Sequence, residues 1–282
     1  MVSRIRRTEQ EQMTAGVLIF AYNNEEIDYV KLAAWNAASI HKYLELPVAI
    51  VTDCTDVPDI FDVVIRTPKA GTDQRYFEDV GASVTWYNGN RCDAYSLTPW
   101  DQTIVLDADY IVCHSGLRTL LHVEEDFLCH TRAFDITNLR KLDDLNFFGK
   151  GRLPMAWATV MYFTKSNTAS YIFDCMQMIK NNWQHYRDLY GINQKTFRND
   201  YALSIALALV NGQTGKVASI PWDLPTLVPE HNLTMHKIEN YNTVFQAEYL
   251  DNQQQPKWFN WSGIDFHAMG KRHLEEIIET CS

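Results

Sequence analysis

Four short apolar runs bear most on what this chain can fold into: residues 17–21, 48–52, 62–65 and 103–106. None alternates apolar with polar residues, so each reads as a strand buried on both faces. Between the first two, Asp28 stands as N-cap of a helix reaching Leu44. Val30, Leu32, Ala33, Ala37, Ile40 and Leu44 recur there at helical spacing, and Pro47 closes the segment. This order of strand, helix, strand, strand predicts an α/β fold with a mostly parallel central sheet flanked by helices. Open sheets of that kind take ligands beyond the carboxyl ends of their strands. Asn23, Asp53 and the pair Asp107/Asp109 all lie just past such ends.

The fourth run leads straight into Asp107-Ala108-Asp109. If the strand continues, residues two apart share a side, so both carboxylates face one point and Ala108 leaves room for a ligand. Paired hard oxygens suit Mn²⁺ or Mg²⁺ holding a diphosphate. Two Asp that merely end a strand are the alternative reading. His267, followed by Gly270 and Lys271, offers an imidazole to complete such a metal site and a cation to neutralise a diphosphate.

Further along, residues 116–121 read as a short helix, 127–129 and 156–163 as strands, and 135–154 as loop. Helices are expected over 167–190 and 200–210. The segment 211–282 carries Pro221, Pro225, Pro229 and Pro256, with Trp222, Trp258, Phe259 and Trp261 in an Asn/Gln background. It is expected to be irregular up to a terminal helix at 273–280. Its aromatics either pin the segment to the core or stack on sugars or bases. No repeat or linker interrupts the 282 residues, so one domain is expected, with 1–14 flexible and 211–282 completing the site.

A formal charge of −10 argues against a broad basic face for nucleic acid. The six cysteines show no metal-ligand spacing and read as reduced thiols. With no signal peptide and no apolar run long enough to span a bilayer, a cytoplasmic location is expected, the host cytoplasm if the source is viral. Asn232-Leu233-Thr234 and Asn260-Trp261-Ser262 fit a glycosylation sequon only by chance in that setting.

Leu106-Asp107-Ala108-Asp109 and His267-Ala268-Met269-Gly270-Lys271 together resemble motifs of nucleotide-sugar glycosyltransferases of the GT-A (Rossmann-like) fold, closest to the glycogenin and galactosyltransferase-like family 8. The second motif is shorter here than the family's His-x-x-Gly-x-x-Lys. The resemblance implies Asp107, Asp109 and His267 as ligands of Mn²⁺ or Mg²⁺, and Lys271 and Arg91 near the diphosphate. It implies Ala21 and Asn23 at the base and ribose, with Asp53 and Ala108 also on the donor, a UDP-sugar. Residues 156–163 are similar to the strand lining the sugar pocket. Arg198-Asn199-Asp200 resembles the family's Asp-Gln-Asp helix start, which puts Asn199 and Asp200 beside the reacting sugar and implies retention of configuration.

The function expected is therefore sugar transfer from a nucleotide-diphosphate sugar to a hydroxyl acceptor. A saccharide is one acceptor. More loosely, the chain resembles bacteriophage glycosyltransferases that decorate hydroxymethylated DNA bases. For DNA, Arg132, Arg140, Lys141, Lys150 and Arg152 would form a phosphate-contacting rim, or else a solvated charged loop. A nucleotidyltransferase acting on a sugar phosphate is a rival, although Tyr22–Glu26 lacks the Gly-rich loop such enzymes carry. A non-catalytic nucleotide-sugar binding module is another.

Overall fold

The computed structural model describes residues 14–69, 73–77, 81–87, 89–212, 218–228, 234–238 and 244–281. The N-terminal stretch expected to be flexible and Asn232 of the first sequon lie outside them, apart from Thr14. In chain order, β1 (Ala15–Phe20) leads through α1 (Tyr29–Leu44) to β2 (Val48–Thr52) and β3 (Val63–Arg66). A hairpin of β4 (Asp73–Phe77) and β5 (Ala82–Trp86) follows, then a 3-10 turn at Gly89–Asp93 and α2 (Ala94–Leu97). Next come β6 (Gln102–Asp107), β7 (Tyr110–Ile111), a 3-10 segment at Gly116–His122, β8 (Phe127–His130) and β9 (Ala133–Asp135). After α3 (Leu142–Asn146) and the hairpin β10 (Phe147–Phe148) and β11 (Leu153–Pro154) lie β12 (Trp157–Thr164), α4 (Asn167–Asn181), α5 (Trp183–Leu189) and α6 (Asn199–Val210). The last part holds β13 (Leu224–Leu227), β14 (Thr234–Ile238), β15 (Val244–Leu250), β16 (Pro256–Ser262), β17 (Phe266–Ala268) and α7 (Lys271–Cys281).

The central sheet has six strands in the order β3-β2-β1-β6-β12-β8. The first four run parallel, while β12 is antiparallel to both β6 and β8. All of β2, and all of β1 after its first residue, is buried, as the apolar runs predict, whereas β3, at the sheet edge, alternates half-buried with exposed residues and is not buried on both faces. Helix α1 starts where expected, with the Asp28 side chain accepting from the Lys31 N–H at 3.0 Å, and it buries the predicted face. A second sheet, β7-β17-β13-β9, stands beside the first. Its member β7 continues directly from β6, and that continuity ties the two sheets at the Asp107–Asp109 turn.

Three expectations are corrected. The helix over 167–190 breaks at Asn182, whose side chain donates to the Met178 carbonyl at 2.8 Å and so competes with the next turn. The loop 135–154 contains α3 and the hairpin β10–β11. The segment expected to be irregular carries five strands, three of them forming the antiparallel sheet β14-β15-β16. Within β16, Pro256, Lys257, Trp258, Asn260 and Ser262 are exposed, so little hydrophobic pattern marks it. Trp222, Phe259 and Trp261 pack on the core, whereas Trp258 is 55% exposed.

His130 at the end of β8 gives the fold a pH dependence. Its Nδ1 faces the Trp222 carbonyl at 3.0 Å, while its Nε2 is buried with no hydrogen-bond partner among the described residues. Burial therefore pushes the imidazole down to about 4, because a proton on Nε2 would find no acceptor. A depressed folded value means the unfolded chain binds the extra proton first. Stability is thus fully present above the ordinary histidine value of about 6.5 and is lost as pH falls toward 4. Denaturant titrations should show wild type losing on the order of 3 kcal/mol across that window, and His130→Gln losing markedly less. Parallel curves would remove His130 from this role.

Candidate active site

Strand β6 ends at Asp107, Ala108 and Asp109 form a turn, and β7 begins at Tyr110. The two carboxylates therefore do not share a side by strand alternation, as the sequence suggested. The turn brings them together instead, pinned where the Ala268 N–H donates to the Asp109 carbonyl at 2.9 Å. His267 lies opposite Tyr110 in the β7–β17 register, which sets its imidazole beside Asp109, Nε2 to Oδ2 at 3.4 Å. One ligand atom from each of Asp107, Asp109 and His267 falls within 4.8 Å of the others. Two hard oxygens and one imidazole nitrogen are a donor set that fits Mn²⁺ or Mg²⁺. The buried Nδ1 of His267 has no hydrogen-bond partner among the described residues.

Two cations hold these carboxylates. The Lys271 ammonium, at the first position of α7, ion-pairs with Asp109 and also donates to the Met269 carbonyl at 3.1 Å. Burial alone would raise the Asp109 carboxyl, but Lys271 and His267 outweigh it and hold the group well below the ordinary carboxylate range. Arg91 is 2% exposed; its Nη2 pairs with Asp107, and its Nη1 donates to the Ala158 carbonyl at 2.8 Å.

Ala158 is a hinge of the site through its backbone. The β12–β8 register shifts between Trp157 and Met161, and the β12–β6 ladder begins only at Val160. Both peptide groups of Ala158 are thereby released from the sheet. Its carbonyl takes Arg91, and its N–H donates to Asp200 Oδ1 at 3.0 Å. The other Asp200 oxygen accepts from Arg198 Nη2 at 2.8 Å. Burial would raise the Asp200 carboxyl, yet Arg198 and the Ala158 N–H together keep it below its usual value. Asp200 and the buried Asn199 sit in the first turn of α6.

These groups line one open cleft. Asp107, Ala108, Asp109, Arg91, Asn199, Asp200, His267 and Lys271 all border it. Ala21, Asn23 and Asp53 do not. Ala21 is buried, with its N–H on the Val51 carbonyl at 2.9 Å. Asn23 turns away to accept from the Val30 N–H at 3.0 Å, and Asp53 pairs with Lys69 at 3.7 Å. Their neighbours Tyr22 and Asn24 line the cleft instead, joined by Tyr29, Trp86 and Tyr87. Trp86 and Tyr87 are not among the residues the sequence motifs single out, although Ala82-Ser83-Val84-Thr85-Trp86 alternates as a half-buried strand does. Among the rim cations, Arg132 pairs with Asp223 at 3.0 Å and Arg152 with Asp143 at 3.1 Å. None of the five borders this cleft.

No described protein family matches the sequence, and no curated protein does. Solved structures with a related chain path include the galactosyltransferase LgtC, 9% identical over 67% of this chain and 70% of that one, TM-score 0.44. Mouse xyloside xylosyltransferase 1 is 12% identical over 74% of this chain and 85% of its own, TM-score 0.44. The glycosyltransferase GlyE of Streptococcus pneumoniae TIGR4 is 12% identical over 74% of this chain, TM-score 0.40, and the match spans 45% of GlyE's length. At these scores the likeness carries no functional weight; the geometry of the cleft does. Among the described residues no helix is long and apolar enough to cross a membrane.

Proposed function

We propose that this protein is a metal-dependent glycosyltransferase, moving a sugar from a nucleotide-diphosphate sugar to a hydroxyl acceptor. One observation carries the reading. Asp107, Asp109 and His267 converge within 4.8 Å on a cleft that also presents Lys271, Arg91 and the rings of Tyr22, Tyr29, Trp86 and Tyr87. In this reading Asp107, Asp109 and His267 hold Mn²⁺ or Mg²⁺, which when bound supplies Lewis-acid stabilisation to the departing diphosphate. Lys271 and Arg91 add fixed positive charge where negative charge develops. Tyr22, Tyr29, Trp86 and Tyr87 offer flat faces for the nucleotide base, and a UDP-sugar is the donor this reading takes.

In this reading Asp200 and Asn199, which line the cleft, act beside the sugar's reacting carbon. Both Asp200 oxygens are engaged, by Ala158 and by Arg198. That arrangement keeps the carboxylate ionised and oriented, suited to stabilising positive charge at the anomeric centre during transfer with retention. A saccharide is the acceptor this reading favours. Transfer to hydroxymethylated DNA has less support, because two of the rim cations are already neutralised by neighbouring Asp.

The test is nucleotide release from a panel of UDP- and GDP-sugars with and without Mn²⁺. Release of one nucleotide, dependent on the metal, is the expected result. A panel with no turnover and no binding under either condition would reduce Asp107 and Asp109 to the end of a strand.

A further inference from the structure

A second cleft opens at the other end of β17. Its lining includes His114, Phe134, Trp222, Asp223, Ile264 and Asp265, and it shares no residue with the first. Strand β17 runs between the two, its three residues spanning about 10 Å.

The polar side of this cleft is built. The His114 Nδ1 accepts from the Gly116 N–H at 2.7 Å, so the neutral ring carries its proton on Nε2. Nε2 lies 3.8 Å from the carboxylate of Asp265. Asp265 is itself fixed, accepting from the Cys113 N–H at 2.6 Å and the His114 N–H at 3.1 Å. The imidazole lies over Gly116: a Cβ there would meet His114 Cε1 at 2.2 Å and displace the ring. The apolar side is held as firmly. Trp222 packs edge-on against His130, 6.4 Å between ring centres, and its carbonyl takes His130 Nδ1. Beside it, Ile264 is 48% exposed, a large apolar side chain turned toward the opening.

A rigid aromatic wall facing fixed carboxylate and imidazole groups matches one ligand chemistry well. Pyranose rings have an apolar C–H face and a rim of hydroxyls that donate and accept hydrogen bonds. Asp223 and His114 supply acceptor and donor for vicinal hydroxyls, while Trp222, Phe134 and Ile264 cover the C–H face. We infer that this second cleft binds a neutral oligosaccharide and holds the distal units of the acceptor while its near end reaches the first cleft. The acceptor assignment rests on the glycosyltransferase reading; the saccharide site does not.

Two variants away from the first cleft test it. Trp222→Ala removes the wall. Gly116→Ala evicts the imidazole while leaving Trp222 in place. Saturation-transfer NMR with neutral tetrasaccharides of glucose, galactose and N-acetylglucosamine should show wild type binding at least one. Both variants, checked for an unchanged circular dichroism spectrum, should bind it roughly tenfold more weakly. Metal-dependent nucleotide release should persist in both, and only the KM for long acceptors should rise, with kcat and the KM for a monosaccharide unmoved. If no tetrasaccharide binds wild type, or if both folded variants bind as wild type does, the site is refuted. Saccharide binding lost in the variants without any nucleotide release from wild type would keep the site and sink the transferase reading.

Discussion

Asp109→Asn should cut metal-dependent nucleotide release by roughly 10³-fold. The amide keeps the shape of the side chain and removes one charged oxygen from the donor set. Asp109 is 4% exposed and touches His267, Lys271 and, through its carbonyl, β17, so no neighbouring carboxylate can replace it. The substitution also leaves Lys271 without its anion in a site where its side chain is only 14% exposed. A stability loss of about 1–3 kcal/mol should accompany the loss of turnover, moderated by the Met269 carbonyl that Lys271 retains. The comparison that separates the two effects is a steady-state assay at a temperature well below the variant's melting point. Retained turnover there would show that Asp109 has only a structural part.

The second large effect belongs to Arg91→Met. The guanidinium is the buried link between β6 and β12: one nitrogen on Asp107, the other on the released carbonyl of Ala158. Methionine fills much of the volume but leaves that carbonyl and Asp107 unpaired, and breaking a buried pair on one side costs about 3–5 kcal/mol. For a chain of this size that is a drop in Tm on the order of 10 °C. Arg91→Lys should fall between, because an ammonium keeps the charge but cannot reproduce the planar fork. Thermal unfolding of the three proteins, followed by circular dichroism, reads this directly. Equal melting temperatures for wild type and Arg91→Met would mean that the link carries no stability.

How much of the fold and the site is legible in the amino-acid sequence depends on where the information resides. The apolar strands and the face of α1 are readable because burial on both sides leaves unbroken runs, and because Asp28 and Pro47 bracket the helix. The sheet β14-β15-β16 is not, since β16 turns five of its seven residues to solvent and looks like polar tail. At the site, the motif residues Asp107, Asp109, His267 and Lys271 do come together. Their route differs, through a turn between β6 and β7 rather than along a strand. Asn23 and Asp53 show the weakness of reading position without direction: both follow strand ends, yet Asn23 accepts from the Val30 N–H in the first turn of α1 and Asp53 meets Lys69. Ala158 leaves no sequence signal at all, because its part is played by a backbone freed at an irregularity that no side chain announces. Trp86 and Tyr87 reach the cleft at the end of β5, whose Ala82-Ser83-Val84-Thr85-Trp86 alternates as a half-buried strand does; that pattern marks a strand and says nothing of a cleft.

The measurement that bears most directly on the site is a titration of the wild-type protein with Mn²⁺, followed by electron paramagnetic resonance of the free ion, with and without UDP. Saturable binding of one ion per chain, tightened by UDP and abolished in Asp109→Asn, is the result expected if Asp107, Asp109 and His267 form a cation site that grips a diphosphate. Free Mn²⁺ that tracks the added amount throughout, with UDP present as well as absent, would contradict it.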